Sequence, residues 1–122
     1  MLIENLYTLD SFINENNTVT ATITINASHK IFEGHFPQQP VLPGVCQLQI
    51  VKELVERALN KKVILSEAGV CKFLQMIDPV TTNFLSIIIN YNFDGVSCSG
   101  NAIIKSGEIT FLKMNGIFHV VE

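Results

Sequence analysis

Residues 18–26, TVTATITIN, alternate strictly between polar and apolar positions. Val19, Ala21, Ile23 and Ile25 fall on one side; Thr18, Thr20, Thr22 and Thr24 fall on the other. Successive side chains of a strand point to opposite faces, so this pattern predicts an antiparallel strand with one face buried. After Pro43 the period changes. Val45, Leu48, Val51, Leu54, Val55 and Ala58 recur at helical spacing, which predicts a helix from Pro43 to about Asn60. Pro43 fits the first helical turn, where its missing N–H has no partner to lose. The segments NFLSIIINYNF (83–93) and VSCSGNAIIK (96–105) are rich in β-formers. Ser106-Gly107 predicts a tight hairpin turn into a last strand over about 108–120. Two further strands are expected, one over about 4–10 and one within 62–75 before an Asp78-Pro79 turn. Residues 29–43, which hold three of the four prolines, read as a turn region.

The predicted order is two strands, one helix of about five turns, then four strands. A lone helix in such a chain buries its apolar stripe best in the concave face of a curved antiparallel sheet, an α+β arrangement. A sandwich would leave so long a helix without a surface to cover. No linker, repeat or low-complexity tract divides the sequence, and 122 residues fit a single domain, 1–122.

Composition narrows the function. Hydrophobic residues make up 48% and charged residues 16%, so the chain is expected to fold and not to remain disordered. A mean hydropathy of +0.34 suggests that some apolar surface is covered by another copy or a partner. The net charge of −3 argues against nucleic acid, because no basic surface could neutralise a row of phosphates. No apolar run approaches the ~18–20 residues of a membrane span. The first residues, MLIENLYTLD, lack a basic region followed by an apolar one, which predicts no signal peptide. Cys46, Cys71 and Cys98 are odd in number and without C-x-x-C spacing. They read as reduced thiols of a cytoplasmic protein, neither a disulfide frame nor a zinc site.

Candidate chemistry gathers in one stretch. Residues 35–49, HFPQQPVLPGVCQLQ, place His35 among Pro37, Pro40 and Pro43 and lead straight into the predicted helix. A helix N-terminus offers unpaired N–H donors and a positive dipole end. Gly44 has no side chain, so a carbonyl could approach its backbone closely. His35 titrates near neutrality and could act as a base, while the prolines hold its loop in place.

His-Phe-Pro followed by Pro-Gly-Val at this spacing, with IFEGHFP before it and KFLQMIDPV (72–80) after the helix, resembles the hotdog-fold 3-hydroxyacyl-[acyl carrier protein] dehydratases. The similarity in element order covers nearly the whole chain; the specific motif is confined to about 31–48. The resemblance implies a curved sheet of about six strands around one central helix. It also implies dehydration of an acyl thioester presented by an acyl carrier protein, with no metal or redox cofactor. Phe36, Pro43, Gly44 and Val45 would contact substrate, the Gly44 and Val45 amides would polarise the thioester carbonyl, and His35 would be the base. The second catalytic group of the family is an acid in the helix, and the matching residue here is Gln49. A carboxamide can hold a hydroxyl or a water but cannot deliver a proton. On this reading Gln49→Glu would restore a proton donor and raise dehydration. In the family the histidine and the acid of one site come from different subunits, which implies a homodimer or a heterodimer with another hotdog chain.

Three functions stay open on the sequence: a dehydratase, a non-catalytic subunit partnering a catalytic relative, and an acyl thioesterase. Glu53, one turn beyond Gln49, is either a solvated helix carboxylate or a stand-in for the acid. Cys46 reads as a buried inert thiol, although a first-turn position would stabilise a thiolate. His29 and His119 have no companions at metal-ligand spacing.

Overall fold

The computed structural model describes residues 5–33 and 40–121. Its strands β1 (Tyr7–Glu15) and β2 (Thr18–Ile25) precede helix α1 (Gly44–Leu59). Then follow β3 (Val63–Phe73), β4 (Phe84–Phe93), β5 (Ser97–Ser106) and β6 (Ile109–Val120). All six form one antiparallel sheet in the order β1-β2-β4-β5-β6-β3, so β1 and β3 are its edges. The α+β arrangement expected from the sequence is the one observed.

The alternation in β2 has its predicted consequence. Val19, Ala21, Ile23 and Ile25 are buried, opposite Ile89, Ile87 and Leu85 of β4, and the intervening threonines turn outward. α1 closes this concave face with Ile50, Val51, Leu54 and Val55. Burying side chains of this size is worth ~1.5–3 kcal/mol each. At the far end of α1, Asn60 adopts φ 54°, the left-handed conformation that ends helices.

Three local differences from the expected pattern have clear causes. β1 runs to Glu15 and not to about residue 10, because a bulge between Leu9 and Ser11 resets its phase. Tyr7, Leu9 and Phe12 thereby share one face, opposite Ile25, Ile23 and Ala21. Asn16 and Asn17 then make the β1–β2 turn with φ of 52° and 59°, the two positive values a tight hairpin needs. Between β5 and β6 the turn residues are Gly107 and Glu108, one position later than expected, with Gly107 at φ 58°. The buried face of α1 is also rotated at its start. Cys46 and Gln47 point inward, Leu48 is only half-buried, and Val45 is 62% exposed.

Candidate active site

The start of α1 is fixed from both sides. Leu42 is buried, its N–H donates to the Ile77 carbonyl at 2.9 Å, and its carbonyl accepts from Gln47 Nε2 at 3.2 Å. Pro43 is the N-cap, with extended backbone, so it stands just before the first turn and not within it. Its carbonyl accepts from the amides of Cys46 and Gln47 at 3.0 and 3.1 Å. The Gly44 and Val45 amides have no protein acceptor among the described residues, and they are the donors available to a ligand at this helix end. The first turn holds no acidic side chain that would compete for them.

The missing side chain of Gly44 has a structural use as well. A Cβ there would stand 2.8 Å from the Phe73 ring, so the ring at the end of β3 packs directly on the helix start. Phe73 thus borders the helix start on the side of Gly44 Cα. Cys46 is fully buried, and burial pushes its thiol pKa up, which agrees with an inert core thiol. Gln47 is 3% exposed, and its Oε1 has no hydrogen-bond partner. Sequence periodicity gave no sign of it, because a polar residue does not register in an apolar stripe.

Gln49 lies one turn into the helix and is half-buried. Its Nε2 donates to Glu53 Oε2 at 2.9 Å, and the Tyr7 hydroxyl donates to Glu53 Oε1 at 2.7 Å. Burial, then the bond to Glu53, pushes the Tyr7 phenol above its usual range, so its proton stays on and is donated. Tyr7 and Glu53 line an open groove of about 980 Å³ between β1 and the second half of α1, with Leu9, Phe12 and Arg57. Glu53 is thus half-buried at the groove, with both oxygens hydrogen-bonded. Its pairing with Gln49 was legible as an i,i+4 spacing, but Tyr7 comes from a strand 46 residues away.

His35 and Phe36 lie outside the described residues. Pro43, Gly44, Val45 and Gln49 lie within the first two turns of α1 or just before it. Among the described residues no group of His, Cys, Asp and Glu could hold a metal ion, and no helix is long and apolar enough to cross a membrane. His29 instead caps a short 3-10 turn, its Nδ1 accepting from the Ile31 amide at 3.0 Å.

Residues 11–105 match the ApeI-like family, described as ApeI dehydratase. The 3-hydroxyacyl-[acyl-carrier-protein] dehydratase FabZ of Rickettsia africae is 29% identical over 105 residues, covering 80% of this chain and 72% of that protein. FabZ of Rickettsia canadensis is 27% identical over 106 residues, covering 80% and 74%. The fold resembles a chain of the dehydratase heterocomplex ApeI:P from Xenorhabdus doucetiae, with a TM-score of 0.73 and 20% identity over 92% of this chain and 96% of that one. It also resembles a hypothetical thioesterase with coenzyme A from Streptococcus pneumoniae, with a TM-score of 0.62 and 13% identity over 94% and 88% of the two chains.

Proposed function

Since this chain belongs to the ApeI-like dehydratase family, we propose that it handles 3-hydroxyacyl thioesters presented by an acyl carrier protein, in the cytoplasm, as one subunit of a hotdog dimer. The observation that carries this reading is the pair of amides at Gly44 and Val45, without a protein acceptor among the described residues, with the half-buried Gln49 in the next turn of α1. In dehydration a base removes the C2 proton and negative charge develops on the thioester oxygen. The two amides and the dipole end of α1 stabilise that charge. His35 is the base, and Phe36 and Pro43 form part of the substrate wall. The C3–O bond then breaks, and hydroxide leaves as water with a proton from an acid. Gln49 can hold the C3 hydroxyl but cannot supply that proton. The acid therefore comes from elsewhere, and a second hotdog subunit carrying a carboxyl group at the matching helix position would provide it.

The sheet edges support association. On the β3 side, Ile64, Val70, Phe73 and Leu74 are each about half exposed, at 47–52%. The other edge, β1, exposes Ile13 at 52% and otherwise the polar Thr8, Asp10, Ser11, Asn14 and Glu15. An apolar edge strand with unpaired backbone groups suits pairing with another chain. Gln49 also supports a second reading, a non-catalytic subunit that completes a catalytic relative. The lack of a carboxylate in the first turn of α1 weighs against thioesterase chemistry, which needs a base for water.

The test is to incubate the purified protein with 3-hydroxyacyl carrier thioesters and follow the products by mass spectrometry. Loss of water that vanishes in His35→Ala, with the fold intact, supports the dehydratase. Binding without turnover supports the non-catalytic subunit. Release of free acid refutes both.

A further inference from the structure

A carboxylate accepts hydrogen bonds and donates none. Glu53 receives the Tyr7 hydroxyl on one oxygen and faces the Gln49 carboxamide with the other. The Gln49 atom that faces it must then be the nitrogen, because an oxygen there would oppose another acceptor. With Nε2 held, the Gln49 oxygen is turned away from Glu53, and it has no protein partner among the described residues. Tyr7 donates to the other oxygen of Glu53, so the side chain is held from both sides with Oε2 toward Gln49.

We propose that Glu53 is a positioning residue, locking the Gln49 amide as an acceptor so that the site selects a 3-hydroxyacyl thioester over the 3-oxoacyl one. This rests on the reading that the site takes 3-hydroxyacyl thioesters. A C3 hydroxyl donates to Gln49 Oε1, whereas a C3 carbonyl can only accept and would face oxygen with oxygen. A freely rotating carboxamide would satisfy both by turning over. The discrimination therefore comes from Glu53, which does not itself touch the ligand.

The experiment uses the full chain in the assembly in which it purifies. The probes are acyl-pantetheine amides, which do not hydrolyse, bearing a 3-hydroxyl or a 3-oxo group, and their affinities are measured by calorimetry. The wild type is expected to bind the hydroxyl ligand about tenfold or more tighter than the oxo ligand, the effect of one hydrogen bond made against one left unmade. Glu53→Met, which keeps volume and removes the acceptor, is expected to bring the ratio to within about twofold, because the amide then rotates. A ratio unchanged in Glu53→Met overturns the positioning role. A wild type that binds both ligands equally overturns it too, while leaving the proposed function intact. A wild type that binds no 3-hydroxyacyl ligand overturns both. If Glu53→Met fails to fold, nuclear magnetic resonance of the wild type decides. The Gln49 side-chain NH₂ signals, assigned by their loss in Gln49→Met, are expected to stay in place as hydroxyl ligand is added. A ligand-induced shift that marks the NH₂ as the contacting group overturns the proposal.

Discussion

At the scale of single residues, the Tyr7–Glu53–Gln49 chain changes what a carboxyl at position 49 would do. Sequence alone predicts that Gln49→Glu restores a proton donor. In the structure the new carboxyl would meet Glu53 across a 2.9 Å contact now made by an N–H. Two such carboxyls repel or share a proton, which raises one pKa above its unfolded value. A raised carboxyl pKa leaves stability intact below the unfolded value and removes it as pH rises through the folded one. Gln49→Glu is therefore expected to lose about 1–3 kcal/mol at neutral pH, towards the lower end because the pair is only half-buried, and to recover on acidification. Thermal melting from pH 5 to 8 checks this. The double variant Gln49→Glu with Glu53→Gln exchanges the partners and keeps every bond: Gln at 53 accepts from Tyr7 and donates to Glu at 49. It is expected to melt like the wild type, while dehydration is expected to rise in the single variant, whose paired carboxyls retain a proton, and not in the double one. The i,i+4 pair was visible in the sequence. The tyrosine that completes it was not, because a contact across 46 residues leaves no local period.

Among the elements, those with one uninterrupted period were the most legible. β2 and α1 came out within about one residue of their expected limits, since alternation and a flanking proline and asparagine mark them. β1 did not, because the bulge after Leu9 breaks its alternation midway and makes Phe12 look out of phase. The helix face was misread at its start for a different reason. The stripe was traced in steps of three and four from Val45, which admitted that exposed residue and passed over buried Gln47 and Ile50; Cys46 was expected to be buried and is. This gives a sharp contrast in stability. Ile50→Ala is expected to destabilise the chain by ~2–5 kcal/mol, the usual loss for emptying a core position. Val45→Ala is expected to stay within ~0.5 kcal/mol. Urea unfolding of the two variants measures the difference, and comparable losses would contradict the observed orientation of α1.

For the whole molecule, the difference between the two sheet edges bears on the proposed assembly. Ile64, Val70, Phe73 and Leu74 on the β3 side are exposed against Ile13 alone among the large apolar residues of β1, so association through β3 would cover more of the exposed apolar edge. Val70, 50% exposed near the middle of β3, is the position at which a charge would matter most. Val70→Glu is expected to yield a monomer by light scattering at micromolar concentration, with its circular dichroism unchanged. An assembly that survives this change would place the contact elsewhere. The high mean hydropathy pointed to covered surface without saying where, because the edge strands are set by topology and not by any single segment.

The contact between Gly44 and Phe73 joins these scales. The ring that packs on the start of α1 belongs to β3, the sheet edge with the more apolar exposed surface. In the proposed dimer a partner seated on β3 would constrain Phe73, and a thioester at the helix start would meet the same ring. Two binding equilibria that share one side chain are thermodynamically linked, and the linkage is reciprocal. If the proposed dimer and thioester site both hold, substrate affinity is expected to fall as the chain is diluted, which ligand titration at several protein concentrations would measure.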